Sequence, residues 1–164
     1  METYEVVQKL LSWGPTYEVR QDHKEEVILT VKGKILTASP KLTMHQGSAE
    51  GPEVAFMQGN FMKTKFECFD AQKNLVGTLT FPLIAFKKGF TVAVGGQEYK
   101  ADGGFLGGEF KCLGPDGNPA FVIAKQLSLR DKFGISNTGL IPRDIVVLAA
   151  IAIDQKYFQD SGID

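Results

Sequence analysis

The sequence predicts a mainly β protein: a closed, up-and-down antiparallel barrel wrapped around one buried C-terminal helix. Three observations carry this reading. Short apolar runs alternate with turn chemistry roughly every ten residues through most of the chain, the pattern of a sandwich or barrel. A hairpin-like block recurs at residues 10–19, 35–44, 83–92 and 126–135, with a shorter variant at 61–68. Finally, residues 145–153 read IVVLAAIAI, an unbroken apolar run between Asp144 and Asp154.

The turn signals come in order along the chain. They are Gly14-Pro15, Gln21-Asp22, Ser39-Pro40, residues 47–52, residues 71–74, Gly95-Gly96 and residues 115–118. The last, Pro-Asp-Gly-Asn, is the strongest, because proline pre-sets φ and Gly-Asn tolerates positive φ. Each repeated block has an apolar strand end, a polar turn and a second strand of period two. Tyr17 and Val19, Leu42 and Met44, Phe66 and Cys68, Phe90 and Val92, and Phe133 and Ile135 fall on one face. Thr16, Glu18, Lys41, Thr43, Lys65, Glu67, Thr91, Lys132 and Gly134 fall on the other. Side chains alternate across a strand, so one surface is buried and one wet. Block spacing is irregular, which fits a meander better than a solenoid of fixed period.

The C-terminal run has three readings. A transmembrane helix needs about 20 apolar residues. A buried strand is compatible with its length and its Ile/Val content. A buried helix is favoured by Pro142 in the first turn, by Asp144 near the positive end of the dipole and by three alanines. The helix is expected over about 142–159. With Ile145, Val146, Val147, Leu148, Ala150, Ile151 and Ile153 it is apolar all round, so it must be buried all round. The only place for it is inside the strands, where it fills the lumen while the closed sheet leaves few exposed edges.

The 164 residues fit a single domain, 1–164, with 43% hydrophobic and 23% charged residues. A net charge of −1 argues against electrostatically driven binding to nucleic acid or to an anionic membrane as the main job, while leaving room for a local basic patch. Cys68 and Cys112 are far apart and lack CxxC spacing, so no zinc or iron–sulfur site is expected and the thiols read as free core residues. No signal-peptide pattern opens the sequence, and a cytoplasmic protein is the expectation.

Enzyme signals are weak. His23 sits in a turn and His45 on the polar side of its strand, both expected to be solvated. No nucleophile elbow, HExxH or phosphate-loop string occurs. The Gly-rich stretch 103–108 lacks GxGxxG spacing and opens no helix, so it reads as bulges and tight bends. Asp70 and Asp116 are turn residues, and no segment has the oxygen-donor spacing of a calcium loop. Lysines form small groups: Lys32 with Lys34, Lys63 with Lys65, and Lys87 with Lys88.

The hairpin blocks and above all the ending carry a resemblance. Residues 119–136, PAFVIAKQLSLRDKFGIS, precede RDIVVLAAIAIDQKYFQ at 143–159, with its trailing Ile153-Asp154. This arrangement resembles the LURP-one-related family, in the superfamily of tubby C-terminal domains and phospholipid scramblases. The resemblance implies a twelve-stranded antiparallel barrel around a C-terminal helix. It implies little about activity; the weak enzyme signals point to a non-enzymatic module without cofactor, ahead of an enzyme of unrecognised type, and the tubby likeness suggests a phosphoinositide or other lipid headgroup as one ligand class. A structural or regulatory protein-interaction domain without a small-molecule site is the alternative. Phe86, Lys87 and Lys88, read as a hairpin tip with one aromatic and two lysines, are the candidate ligand-binding residues. No membrane span is expected, and the chain is expected to be a monomer or weak dimer.

Overall fold

The computed structural model describes residues 1–11, 14–34, 39–83, 89–103, 108–125 and 132–159. Twelve strands follow one another: β1 (Glu2–Leu11), β2 (Gly14–Gln21), β3 (Val27–Gly33), β4 (Lys41–Gln46), β5 (Glu53–Gly59) and β6 (Lys65–Asp70) form the first half. The second half is β7 (Leu75–Thr80), β8 (Gly89–Val94), β9 (Gln97–Gly103), β10 (Glu109–Leu113), β11 (Pro119–Lys125) and β12 (Lys132–Asn137). Each pairs antiparallel with its sequence neighbours, and β1 pairs with β12, with Glu2 opposite Asn137 and Val7 opposite Lys132. The sheet is therefore a closed barrel without a free edge, as the repeated blocks and the resemblance imply.

Inward positions are those of the period-two pattern. Tyr17, Val19, Leu42, Met44, Phe66, Cys68, Phe90, Val92, Phe133 and Ile135 are all buried. The helix α1 (Arg143–Ile153) runs through the lumen, and every residue from Ile145 to Ile153 is buried. Pro142 is its N-cap, with its carbonyl accepting from Ile145 N and Val146 N at 3.1 and 3.2 Å. Wall and helix approach closely where side chains are small. A Cβ on Gly77 would lie 3.4 Å from Ile145 Cδ1, so the missing side chain makes room for the isoleucine. The helix is α-helical only to Ile153; Asp154–Gln159 widens into a π-helical turn within the stretch expected to be one helix.

An aromatic cluster surrounds the turn that follows the helix. Phe81 meets Phe66, Phe90 and Tyr157 with centroids 5.6 Å apart in each pair, and Phe110 stacks on Tyr157 at 5.6 Å. Tyr157 Oη donates to Gly89 O at 2.6 Å and accepts from Gly89 N at 3.2 Å, which pins the π turn to β8.

Three local expectations are corrected. Gly14-Pro15 opens β2 instead of forming a turn. His45 is buried: its Nδ1 lies 2.9 Å from Gly51 O, so the loop after β4 folds back over it. Phe61 and Met62, read as a strand end, sit in the β5–β6 turn and are exposed.

Candidate ligand-binding groove

Phe86, Lys87 and Lys88 lie outside the described residues. The described surface offers a different lysine site, on the outer face of β3 to β6. Register places Thr43 opposite Phe56 and Phe56 opposite Phe69, so their outward side chains form one row across three strands. One step along, Lys41 pairs with Gln58, and Lys34 N donates to Lys41 O at 3.2 Å, which sets the two lysines side by side. From the other direction Lys73 reaches back, with Nζ 5.2 Å from the Phe56 ring centroid. A cation over an aromatic face is held there by the ring quadrupole.

The turn that aims Lys73 is built by Asp70. Its Oδ1 accepts from Gln72 N at 3.0 Å and Asn74 N at 2.9 Å, and its carbonyl accepts from Lys73 N at 2.9 Å. Lys73 itself has φ 65°, the left-handed conformation that closes the turn. The Asp70 carboxylate is thus engaged with backbone and does not line the groove.

The result is a concavity of about 370 Å³ with a half-buried aromatic floor, Phe56 and Phe69, and three exposed lysines, Lys34, Lys41 and Lys73, around it. No carboxylate lines it among the described residues. Such a site suits an anion carried on a ring or chain that can lie on carbon: the lysines supply charge and donors, the phenylalanines contact area.

A second concavity, about 580 Å³, is formed by Glu5 and residues 20–25. Its charges are already spoken for. Arg20 binds Glu18 at 3.2 Å and Glu25 O at 3.1 Å, and Asp22 faces His23 at 3.4 Å. With Glu5, Asp22 and Glu25 against Arg20 and Lys24, it has no sign preference that would draw an anion.

Inside the barrel lies a polar cluster with no sequence signature of its own. Lys125 Nζ reaches Asp154 Oδ1 at 2.7 Å, and Tyr17 Oη donates to Asp154 Oδ2 at 3.3 Å. The side chains are 9% and 2% exposed for Lys125 and Asp154. Lys125 also lies 5.6 Å from the Phe133 ring centroid. This buried cluster ties β2 and β11 to the helix end. The two cysteines are equally withdrawn, since burial pushes each thiol up to about 12. No group of three or more His, Cys, Asp or Glu is placed to hold a metal among the described residues. No helix among them is long and apolar enough to cross a membrane.

A comparison with curated proteins gave no match. The family model described as LURP-one-related matches residues 2–154, from the first residue of β1 to the aspartate that ends the apolar run, and the chain belongs to that family.

Proposed function

We propose that this protein is a non-catalytic binding module that holds a phosphate-bearing lipid headgroup, such as a phosphoinositide, in the β3–β6 groove. The observation that carries the reading is the convergence of Lys34, Lys41 and Lys73 over Phe56 and Phe69, with no carboxylate among the described lining residues. The likeness to tubby domains points to the same ligand class. A headgroup phosphate accepts from the lysine ammoniums while its ring rests on the aromatic floor. Lysine acts here as a point charge with rotatable donors, so the site recognises charge and place before it recognises stereochemistry.

The overall charge of −1 makes the attraction local, so binding is weak and lost in moderate salt. Each lysine near an anionic surface contributes about 1 kcal/mol, so reversing all three to glutamate lowers binding on the order of a hundredfold or more. The test is sedimentation with phosphatidylcholine vesicles containing or lacking a phosphoinositide, using the parent and the K34E/K41E/K73E variant. A K87E/K88E variant runs in parallel, because the sequence places the same chemistry at that pair. Loss in the first variant supports the groove, and loss only in the second moves the site to residues 86–88. Equal binding to both vesicle types rejects the headgroup reading and favours the protein-interaction alternative.

A further inference from the structure

The β5–β6 turn presents apolar side chains to solvent on a rigid support. Phe61 is 71% exposed and Met62 54%. Their backbone is fixed by Asn60: its Oδ1 accepts from Thr64 N at 2.8 Å and Lys65 N at 3.1 Å, and its carbonyl accepts from Lys63 N at 3.1 Å. Lys63 adopts φ 54°, completing the reversal. The tip is therefore a preformed projection. Leu83, 63% exposed, joins it: the β6–β7 ladder continues in the bond from Phe81 N to Thr64 O at 2.8 Å, which carries Leu83 alongside the turn. From the helix end, Lys156 Nζ donates to Met62 O at 3.3 Å, placing a cation at the base of the projection.

Charge distinguishes this end of the barrel from the other. Among the described residues, the turns at this end contain Lys34 and Lys63 and no carboxylate; of the strands that start here, Lys41, Lys65 and Lys132 open three and Glu109 opens one. The described turns at the opposite end contain Asp22, Glu25, Glu26, Glu50 and Asp116 against His23, Lys24 and Lys73. Exposed apolar residues occur there too, Met1, Leu75, Leu113 and Leu140, but spread over different turns and beside acidic ones. Among the described residues, this end combines an apolar projection with an excess of lysine.

We propose that the Phe61–Met62 tip, with Leu83, inserts into the interface of an anionic bilayer, with the lysines around it at headgroup level. Apolar side chains at the acyl boundary and lysines among anionic headgroups are the two contributions that hold a peripheral protein at a membrane. The acidic end faces away, so the charge asymmetry orients the barrel on approach. This deepens the headgroup reading by naming the source of the ligand as a lipid still in its membrane: Lys34 and Lys41 of the groove lie at the same end as the tip, and Lys73 reaches toward Phe56 along the wall from the other end.

The test separates insertion from headgroup capture. A Phe61→Cys variant carrying an environment-sensitive NBD label is mixed with phosphatidylcholine vesicles, with or without phosphatidylserine and a phosphoinositide, and with soluble inositol hexakisphosphate. Cys68 and Cys112 are buried, so labelling is confined to the tip. Insertion predicts an emission rise and quenching by brominated acyl chains with anionic vesicles only. F61S/M62S is expected to lose roughly tenfold or more in vesicle partition while binding the soluble polyphosphate like the parent. Vesicle binding that is unchanged in F61S/M62S and leaves the label unquenched overturns insertion but leaves the groove reading standing. Loss of polyphosphate binding in K34E/K41E/K73E, with the label still quenched in vesicles, locates the two functions separately and supports insertion. Self-association of the parent that F61S/M62S abolishes, without any vesicle response, overturns the proposal in favour of a contact between copies.

Discussion

Removing the charge from Asp154 should cost a large part of the protein's stability, while removing it together with Lys125 should cost little. Asp154 is 2% exposed and its two oxygens serve Lys125 and Tyr17 at 2.7 and 3.3 Å. In Asp154→Asn the amide oxygen still accepts from Tyr17, so shape and one hydrogen bond survive. What is lost is the counter-charge of a lysine that is itself only 9% exposed. Breaking a buried pair from one side typically costs about 3–5 kcal/mol, and Lys125 would keep its charge with one carboxylate fewer beside it. A domain is stable by about 5–15 kcal/mol in total, so the variant approaches the edge of folding. With a urea slope of about 2 kcal/mol/M, the midpoint falls by about 1.5–2.5 M. Lys125→Met/Asp154→Asn removes both charges, keeps the Tyr17 bond and lets methionine occupy the lysine stem's place beside Phe133. The double-mutant cycle in urea should therefore give a coupling above about 2 kcal/mol. A cost below about 1 kcal/mol for Asp154→Asn, or additivity within about 0.5 kcal/mol, would refute the buried pair as a structural lock.

Val147→Asp, at a fully buried helix position, should cost more than about 4 kcal/mol, and deletion from Asp144 onward should abolish cooperative melting by circular dichroism. Gly77→Val should cost about 1–3 kcal/mol in thermal melts, since its Cβ alone already meets Ile145 at 3.4 Å. Cys68 and Cys112, with thiols pushed up to about 12, should resist a thiol reagent at pH 8 until denaturant unfolds the barrel; fast native labelling would contradict their burial. Glu18 has its carboxyl lowered, first by the hydrogen bond from Lys9, so its contribution is present above the ordinary glutamate range and lost as pH falls through the lowered value. Glu18→Gln should accordingly lower the melting temperature slightly at pH 7 and not at pH 2.

The barrel was legible because its physics is local. Period-two alternation marks each inward residue without knowledge of any partner, and the run 145–153 has no outward face to offer water. The blocks also show where local reading stops. Asp154 looks like the end of an apolar run, and its meeting with Lys125 and Tyr17 depends on how the helix threads the sheet. Likewise Lys34 and Lys73 stand near no common motif; the β3–β6 register and the Asp70 turn bring them over Phe56. The tip at Phe61 was misread as strand because Asn60 to Thr64 contains neither glycine nor proline, so the reversal rests on an asparagine side chain and a left-handed lysine. His45 was misplaced for a similar reason: its cover comes from a loop carbonyl across the turn.

Closure of β1 against β12 also dictates when the molecule can fold. Glu2 is synthesised long before its ladder partner Asn137, and the helix that fills the lumen follows later still. Until then the nascent sheet has two unpaired edges and an inner face lined with phenylalanine and valine, with nothing to cover either. Non-local pairing of this kind folds slowly and leaves intermediates prone to association. Synthesis of the helix is therefore the committing step. A ribosome stalled before residue 143 should hold a chain that is protease-sensitive along its whole length, and release of the helix should protect every strand together.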